Sequence, residues 1–227
     1  MIPLRDTVPS QRTPVVNYAI MATCTLVFFC QLTQGSTAPE LVEKFAFIPA
    51  RYRFLTAMQP FNFEWRYLPF FSAMFMHGGW LHFLGNMLYL WIFGDNVEDR
   101  FGKLLYLIFF LATGFFAFYA HYFFYPNSPV PVLGASGAIA GVMGAYFLMF
   151  KESRIVTLIP IFVFVQVVEI PAVAFLIFWF LMQLLSGTNS WLSGISGGVA
   201  WWAHVGGFLA GYFIAKWVNR GSEFRRG

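Results

Sequence analysis

Ser136 sits in the stretch "PVLGASGAIAGVMGAYFLMF" (131–150), a run apolar enough for lipid that nevertheless carries a hydroxyl between glycines. A serine oxygen is a weak nucleophile, and it attacks a carbonyl only when a base within hydrogen-bond reach can take its proton. Of the four histidines in the chain, His204 offers itself as that base, because it opens a second apolar run, "AHVGGFLAG" (203–211), with a similar glycine spacing. A third run holds His82 and Asn86, four residues apart and so on one face of a helix. Both can donate hydrogen bonds to a developing oxyanion, together with the backbone N–H of Ser136. Polar and ionisable groups inside apolar spans are costly to bury, and such residues are functional candidates by default.

The three runs place these groups at one depth. Counting 1.5 Å per helical residue, Ser136 lies about 22 Å from Lys151, His204 about 18 Å from Lys216 and His82 about 20 Å from Asp95. Gly137 and Gly141 on one run, and Gly207 and Gly211 on the other, form small-xxx-small pairs just beyond Ser136 and His204. Such pairs let helix backbones approach closely in lipid. No Asp or Glu occurs in either run, so a Ser136/His204 dyad is expected rather than a triad with an acid. The expected pocket is lined by His82, Asn86, Ser136 and His204, and it must admit water for hydrolysis.

The elements that would carry these residues follow from hydropathy. Hydrophobic residues make up 59% of the 227, aromatic ones 21% and charged ones 11%, the composition of a polytopic membrane protein. Runs at about 15–33, 74–94, 103–124, 134–150, 170–186 and 199–218 are each near the length needed to cross a bilayer. The segment 155–169, "IVTLIPIFVFVQVVE", is apolar but broken by Pro160, and reads as interfacial or partly inserted. With both termini on the cytoplasmic side, ten of the 14 basic residues fall inside, and the remaining four, Lys44, Arg51, Arg53 and Arg66, lie in the long first outer loop. That loop, about 34–73, carries "FNFEWRYLPFF" and is expected to rest partly on the membrane. The net charge of +4 is scattered over loops without a basic face, which reports topology and excludes a nucleic-acid partner. Cys24 and Cys30 lie six helical residues apart, roughly 9 Å by rise, too far for a disulfide with each other. The fold class expected is an all-α membrane protein, with residues 1–227 forming one membrane domain. The first fourteen residues read as a polar lead to a retained anchor without transit-peptide character, pointing to a prokaryotic cell membrane.

Taken jointly, these motifs resemble those of the rhomboid intramembrane serine proteases. The family's G-x-S-G appears as Gly134-Ala135-Ser136-Gly137, its A-H-x-x-G-x-x-x-G as Ala203 to Gly211, and its H-x-x-x-N as His82 and Asn86 within "HGGWLHFLGN". The Trp-Arg pair of the family's first loop appears as Trp65-Arg66, and the likeness covers about residues 15–218. The resemblance implies a six-transmembrane-helix bundle, Ser136 as nucleophile, His204 as general base, and His82, Asn86 and the Ser136 amide as the oxyanion site. It implies cleavage of transmembrane helices of substrate proteins near their outer ends, with no cofactor and no metal. It also suggests Trp179, on the fifth span, as a residue near the gate. Some relatives stack an aromatic ring on the histidine from a position one turn below the serine. Here that position is Ala140, so His204 must be oriented by other neighbours, with Trp201 and Trp202 as candidates. His77 matches a histidine near the oxyanion site of relatives, a structural role being an equal reading.

Other chemistries fit less well. No histidine is followed by glutamate as a zinc H-E-x-x-H motif requires, and no pair of intramembrane aspartates is available. His77 and His121 are not placed as metal partners. A channel would continue its polar lining along the helices, where this chain has Phe, Leu, Met, Ile and Ala. The alternative function is a catalytically silent rhomboid-like protein that binds transmembrane helices. The sequence names no substrate, pathway or oligomeric state.

Overall fold

The computed structural model describes residues 1–161, 164–194 and 198–223. Long helices dominate it: α1 (Val15–Thr33), then α2 (Ala38–Phe45), α3 (Pro49–Met58) and α4 (Phe63–Phe75) within the long first loop. They are followed by α5 (Trp80–Phe101), α6 (Lys103–Phe124), α7 (Ser136–Met149), α8 (Ala172–Leu192) and α9 (Trp201–Glu223). Among the described residues, α1, α6 and α8 are each long and apolar enough to cross a membrane. The run expected over 74–94 is divided: α4 ends at Phe75, residues 76–79 turn, and α5 continues to Phe101. Gly102 then takes φ +74, a left-handed conformation that lets α6 start one residue after α5 stops.

The short helix α7 occupies the centre. Its 14 residues rise about 21 Å, less than the ~30 Å of a bilayer core, and every residue from Gly137 to Tyr146 is buried. A helix apolar on all sides is stable when other helices surround it, and α5, α6 and α9 do so. Glycine makes the contact with α9 close enough to be backbone against backbone. A Cβ added at Gly207 would overlap the Gly137 carbonyl, one at Gly211 the Gly141 carbonyl, and one at Gly144 the Phe208 carbonyl. On the α6 side Gly137 meets Ala117, Gly141 meets Thr113 and Gly206 meets Ala120. The paired glycines read from the sequence therefore form this junction.

At the opposite end of the bundle from Ser136, the polar end of α5 holds the N-terminal segment. Pro14 gives α1 no side-chain cap, and Glu98 supplies it by accepting from the N–H groups of Val16 (3.1 Å) and Asn17 (2.7 Å). Buried Asn17 donates to the Leu90 carbonyl at 3.0 Å and accepts from the Tyr106 hydroxyl at 2.8 Å. Asp99 accepts from the backbone of Gln11 and Arg12, while Asp6 accepts from Asn96 Nδ2 (2.9 Å) and the Tyr146 hydroxyl (2.5 Å).

The all-α expectation is corrected here. Strand β1 (Ile2–Asp6) pairs with β2 (Arg154–Ile161), which pairs with β3 (Phe164–Pro171), forming an antiparallel sheet of order β1-β2-β3. The segment read as interfacial is thus a hairpin, rich in β-branched Ile, Val and Thr. Its proline is tolerated because pairing with β1 begins only at Leu158, leaving Pro160 beyond the reach of that strand. The long loop packs through Phe47, Phe70, Ala73 and Met74 against Phe118 of α6, and Phe47 bridges Val132. Arg66 lies over the Tyr67 ring at 5.3 Å and donates to the Pro60 carbonyl.

The α7/α9 junction yields a stability prediction. Gly211→Ala places a methyl against the Gly141 backbone, which cannot rotate aside, and overpacking of this kind costs about 1–3 kcal/mol. Thermal unfolding in detergent should show a lower Tm for this variant than for Gly85→Ala, where a Cβ meets open space. Equal midpoints for the two would contradict the close approach.

Candidate active site

Ser136 is the first residue of α7, entered through Gly134 at φ +120. The left-handed conformation requires glycine, and so does the space: a Cβ there would run into the His82 ring. The Gly134 N–H donates to the Ala73 carbonyl at 2.8 Å, tying this turn to the end of α4. As the opening residue of the helix, Ser136 has an N–H with no intrahelical acceptor.

The glycine junction brings α9 alongside. His204 Nε2 lies 2.8 Å from Ser136 Oγ, with the two residues 68 apart in sequence. His82 and Asn86 reach the same place from α5. The Gly78 N–H approaches His82 Nδ1 at 3.4 Å, which leaves Nε2 to carry the proton of a neutral ring and to face the Gly134 turn. Asn86 is buried, and its Nδ2 finds no hydrogen-bond partner among the described residues. A buried amide donor left unpaired carries a desolvation cost, and here it borders a cavity of about 820 Å³ lined by Ser136, His204, His82 and Asn86. All four residues singled out in the sequence thus meet at one cavity. Trp179 of α8 and His121 of α6 also line it.

Other expected neighbours divide. Trp201 stands edge-on to His204 with ring centroids 6.2 Å apart, whereas Trp202 turns away and stacks on Phe124 at 3.6 Å. Trp179 lies 5.9 Å from the His204 ring, tilted by 34°. Ala140 is fully buried. His77 is buried 5.3 Å from the His82 ring, and its backbone is clamped by Gln31 of α1: the His77 N–H donates to Oε1 at 2.9 Å and Nε2 donates to the His77 carbonyl at 3.2 Å.

One site neighbour escaped the sequence analysis. Gln183 of α8 is buried, and its Oε1 lies 2.8 Å from His204 Nδ1. A lone amide within the apolar run 170–186 was the available signal, the same cue that marked Asn86.

A half-buried serine–histidine contact at a helix N-terminus, joined by backbone-close glycines and opening on a cavity that His82 and Asn86 also line, forms a serine–histidine site among apolar helices. The profile of the Rhomboid domain family matches residues 64–220, and the chain belongs to the rhomboid family of integral membrane proteins. It is 29% identical over 203 residues to rhomboid protease GluP of Bacillus subtilis, an alignment covering 89% of this chain and 34% of that protein. It is 29% identical over 153 residues to RHOMBOID-like protein 6, mitochondrial, of Arabidopsis thaliana, covering 67% and 43% respectively. Over 88 residues it is 33% identical to putative rhomboid protease YdcA of B. subtilis, covering 39% of this chain and 43% of that protein. The chain thus spans between about a third and a half of the length of these relatives.

The clamp on His77 is testable without any assay of chemistry. Gln31→Leu leaves a buried N–H and carbonyl at His77 without partners, at a cost of about 1–3 kcal/mol. A lower Tm is expected, together with faster amide exchange at His77 by mass spectrometry. Unchanged exchange there would remove the clamp.

Proposed function

We propose that this chain is an intramembrane serine endopeptidase that cleaves transmembrane helices of other proteins near their outer ends. The observation that carries the reading is the 2.8 Å contact of Ser136 Oγ with His204 Nε2 at the cavity. In the proposed reaction the unprotonated Nε2 takes the hydroxyl proton as Oγ attacks a substrate carbonyl. The tetrahedral oxyanion is held by Asn86 Nδ2–H, His82 Nε2–H and the Ser136 N–H. The imidazolium then gives its proton to the departing amine, leaving an acyl-serine. Water entering the cavity is deprotonated by His204 and releases the second fragment.

The unpaired Asn86 donor supports this reading, because its partner is the charge that exists only during reaction. The GASG and AHVGG motifs support the same assignment of roles. Under this proposal α1, α5, α6, α7, α8 and α9 are six spans of one domain with both termini cytoplasmic. The first loop lies on the membrane, and the enzyme resides in a prokaryotic cell membrane.

Ser136→Ala and His204→Ala should each lower cleavage of a membrane-embedded reporter by about 10³-fold or more, with unchanged elution on gel filtration. A fluorophosphonate should label Ser136 in the intact chain but not in His204→Ala. Asn86→Ala should reduce kcat by about 10²–10³ with little change in KM. Undiminished cleavage by Ser136→Ala would refute the assignment of nucleophile. Capture of a transmembrane peptide without labelling or turnover would favour the catalytically silent, helix-binding alternative.

A further inference from the structure

We propose that Gln183 is the positioning residue that fixes the tautomer and ring plane of His204, a role resting on the Ser136/His204 reading. Gln183 Nε2 donates to the Trp179 carbonyl one turn back on α8, at 3.3 Å. That bond fixes which end of the amide points where, since the flipped amide would set two carbonyl oxygens against each other. Oε1 therefore faces His204 Nδ1 at 2.8 Å.

A carbonyl oxygen can only accept, so Nδ1 must carry the ring proton. In a neutral imidazole the other nitrogen is then unprotonated, and it is Nε2 that lies 2.8 Å from Ser136 Oγ. The opposite tautomer would place a proton between Nε2 and the hydroxyl, and the ring could not act as base. Gln183 thus holds the place that an acid takes in a triad, with an uncharged acceptor. The tryptophans on either side complete the restraint, Trp179 tilted at 5.9 Å and Trp201 edge-on at 6.2 Å. Together they answer how His204 is oriented where Ala140 offers no ring.

The acceptor's location has a mechanical consequence. Helix α8 packs on α9 but touches α7 only lightly, and a smaller share of its residues is buried than of those of α6. A displacement of α8 directly away from His204 by more than about 1 Å stretches the 2.8 Å contact beyond hydrogen-bonding range. If α8 moves aside to admit a substrate helix, it must return before His204 is competent. Admission and proton transfer are thereby ordered.

The test uses the full chain in detergent micelles with ¹⁵N-labelled histidine. Solution NMR of the intact protein, with His204→Ala for assignment, should show His204 protonated at Nδ1, a readout that needs no activity. Gln183→Met keeps length and removes the acceptor. It should mix the tautomers, lower kcat by about 100-fold at unchanged KM, and slow fluorophosphonate labelling of Ser136 in parallel. Gln183→Glu restores an acceptor and adds a charge that favours imidazolium, so activity should recover relative to Gln183→Met, with the acidic limb of the kcat profile moved to higher pH. A Gln183→Met protein that keeps the tautomer and is labelled at the wild-type rate would overturn the proposal while leaving the dyad intact. If Gln183→Met does not fold, an acidic limb unmoved in Gln183→Glu overturns it. Absence of Ser136 labelling in the unmodified chain would instead overturn the protease reading.

Discussion

The site depends on two helices touching through their backbones. In the membrane bundle proposed above, lipid supplies no hydrophobic force to press α7 against α9, so their association rests on packing and on polar contacts between them. Glycine at 137, 141, 207 and 211 removes the side chains that would hold the axes apart. Residues just beyond such a contact are brought to side-chain distance, and Ser136 and His204 stand there. A serine and a histidine on helices spaced by leucines would leave a gap that a hydrogen bond cannot cross.

The remainder of the fold serves to keep that junction from sliding. Four buried polar groups, Glu98, Asn17, Tyr106 and the Leu90 carbonyl, lock α1, α5 and α6 together at one end. Asp6 ties β1 to α5 through Asn96 and to α7 through Tyr146. At the other end the Gln31–His77 clamp and the Gly134–Ala73 bond set the start of α5 and of α7. The central helix is thus held at both ends, and its serine is presented by a rigid element. α8 is the exception, lightly packed yet carrying Gln183 and Trp179 beside His204. Under the proposed reading, the site combines a nucleophile on a firmly held helix with an orienting group on a lightly packed one.

Much of this was legible in the sequence for a simple reason: spacing in a helix converts directly to depth. Counting from charged ends brought Ser136, His204 and His82 to one level, and glycine spacing indicated which helices would approach. The ranges 15–33 and 103–124 coincide with α1 and α6. Hydropathy alone could not distinguish a broken span from a hairpin over 154–171, because β-branched residues raise both signals; a strand partner far away at Ile2–Asp6 decides the matter. The division of 74–94 was hidden because the turn at 76–79 sits between two apolar helices. Gln183 was hidden for a different reason. Its contact depends on the rotation of α8 about its axis, which no count of residues provides.

The central claim is that α7 and α9 hold one hydroxyl and one ring nitrogen in contact within the membrane. A crystal structure of the full chain grown from a lipid phase, at a resolution that places side chains, measures this directly. The account predicts Ser136 Oγ within about 3.2 Å of His204 Nε2, with Gly137 and Gly207 backbones touching. Helices separated by lipid or intervening side chains, with the hydroxyl and ring directed apart, would contradict it.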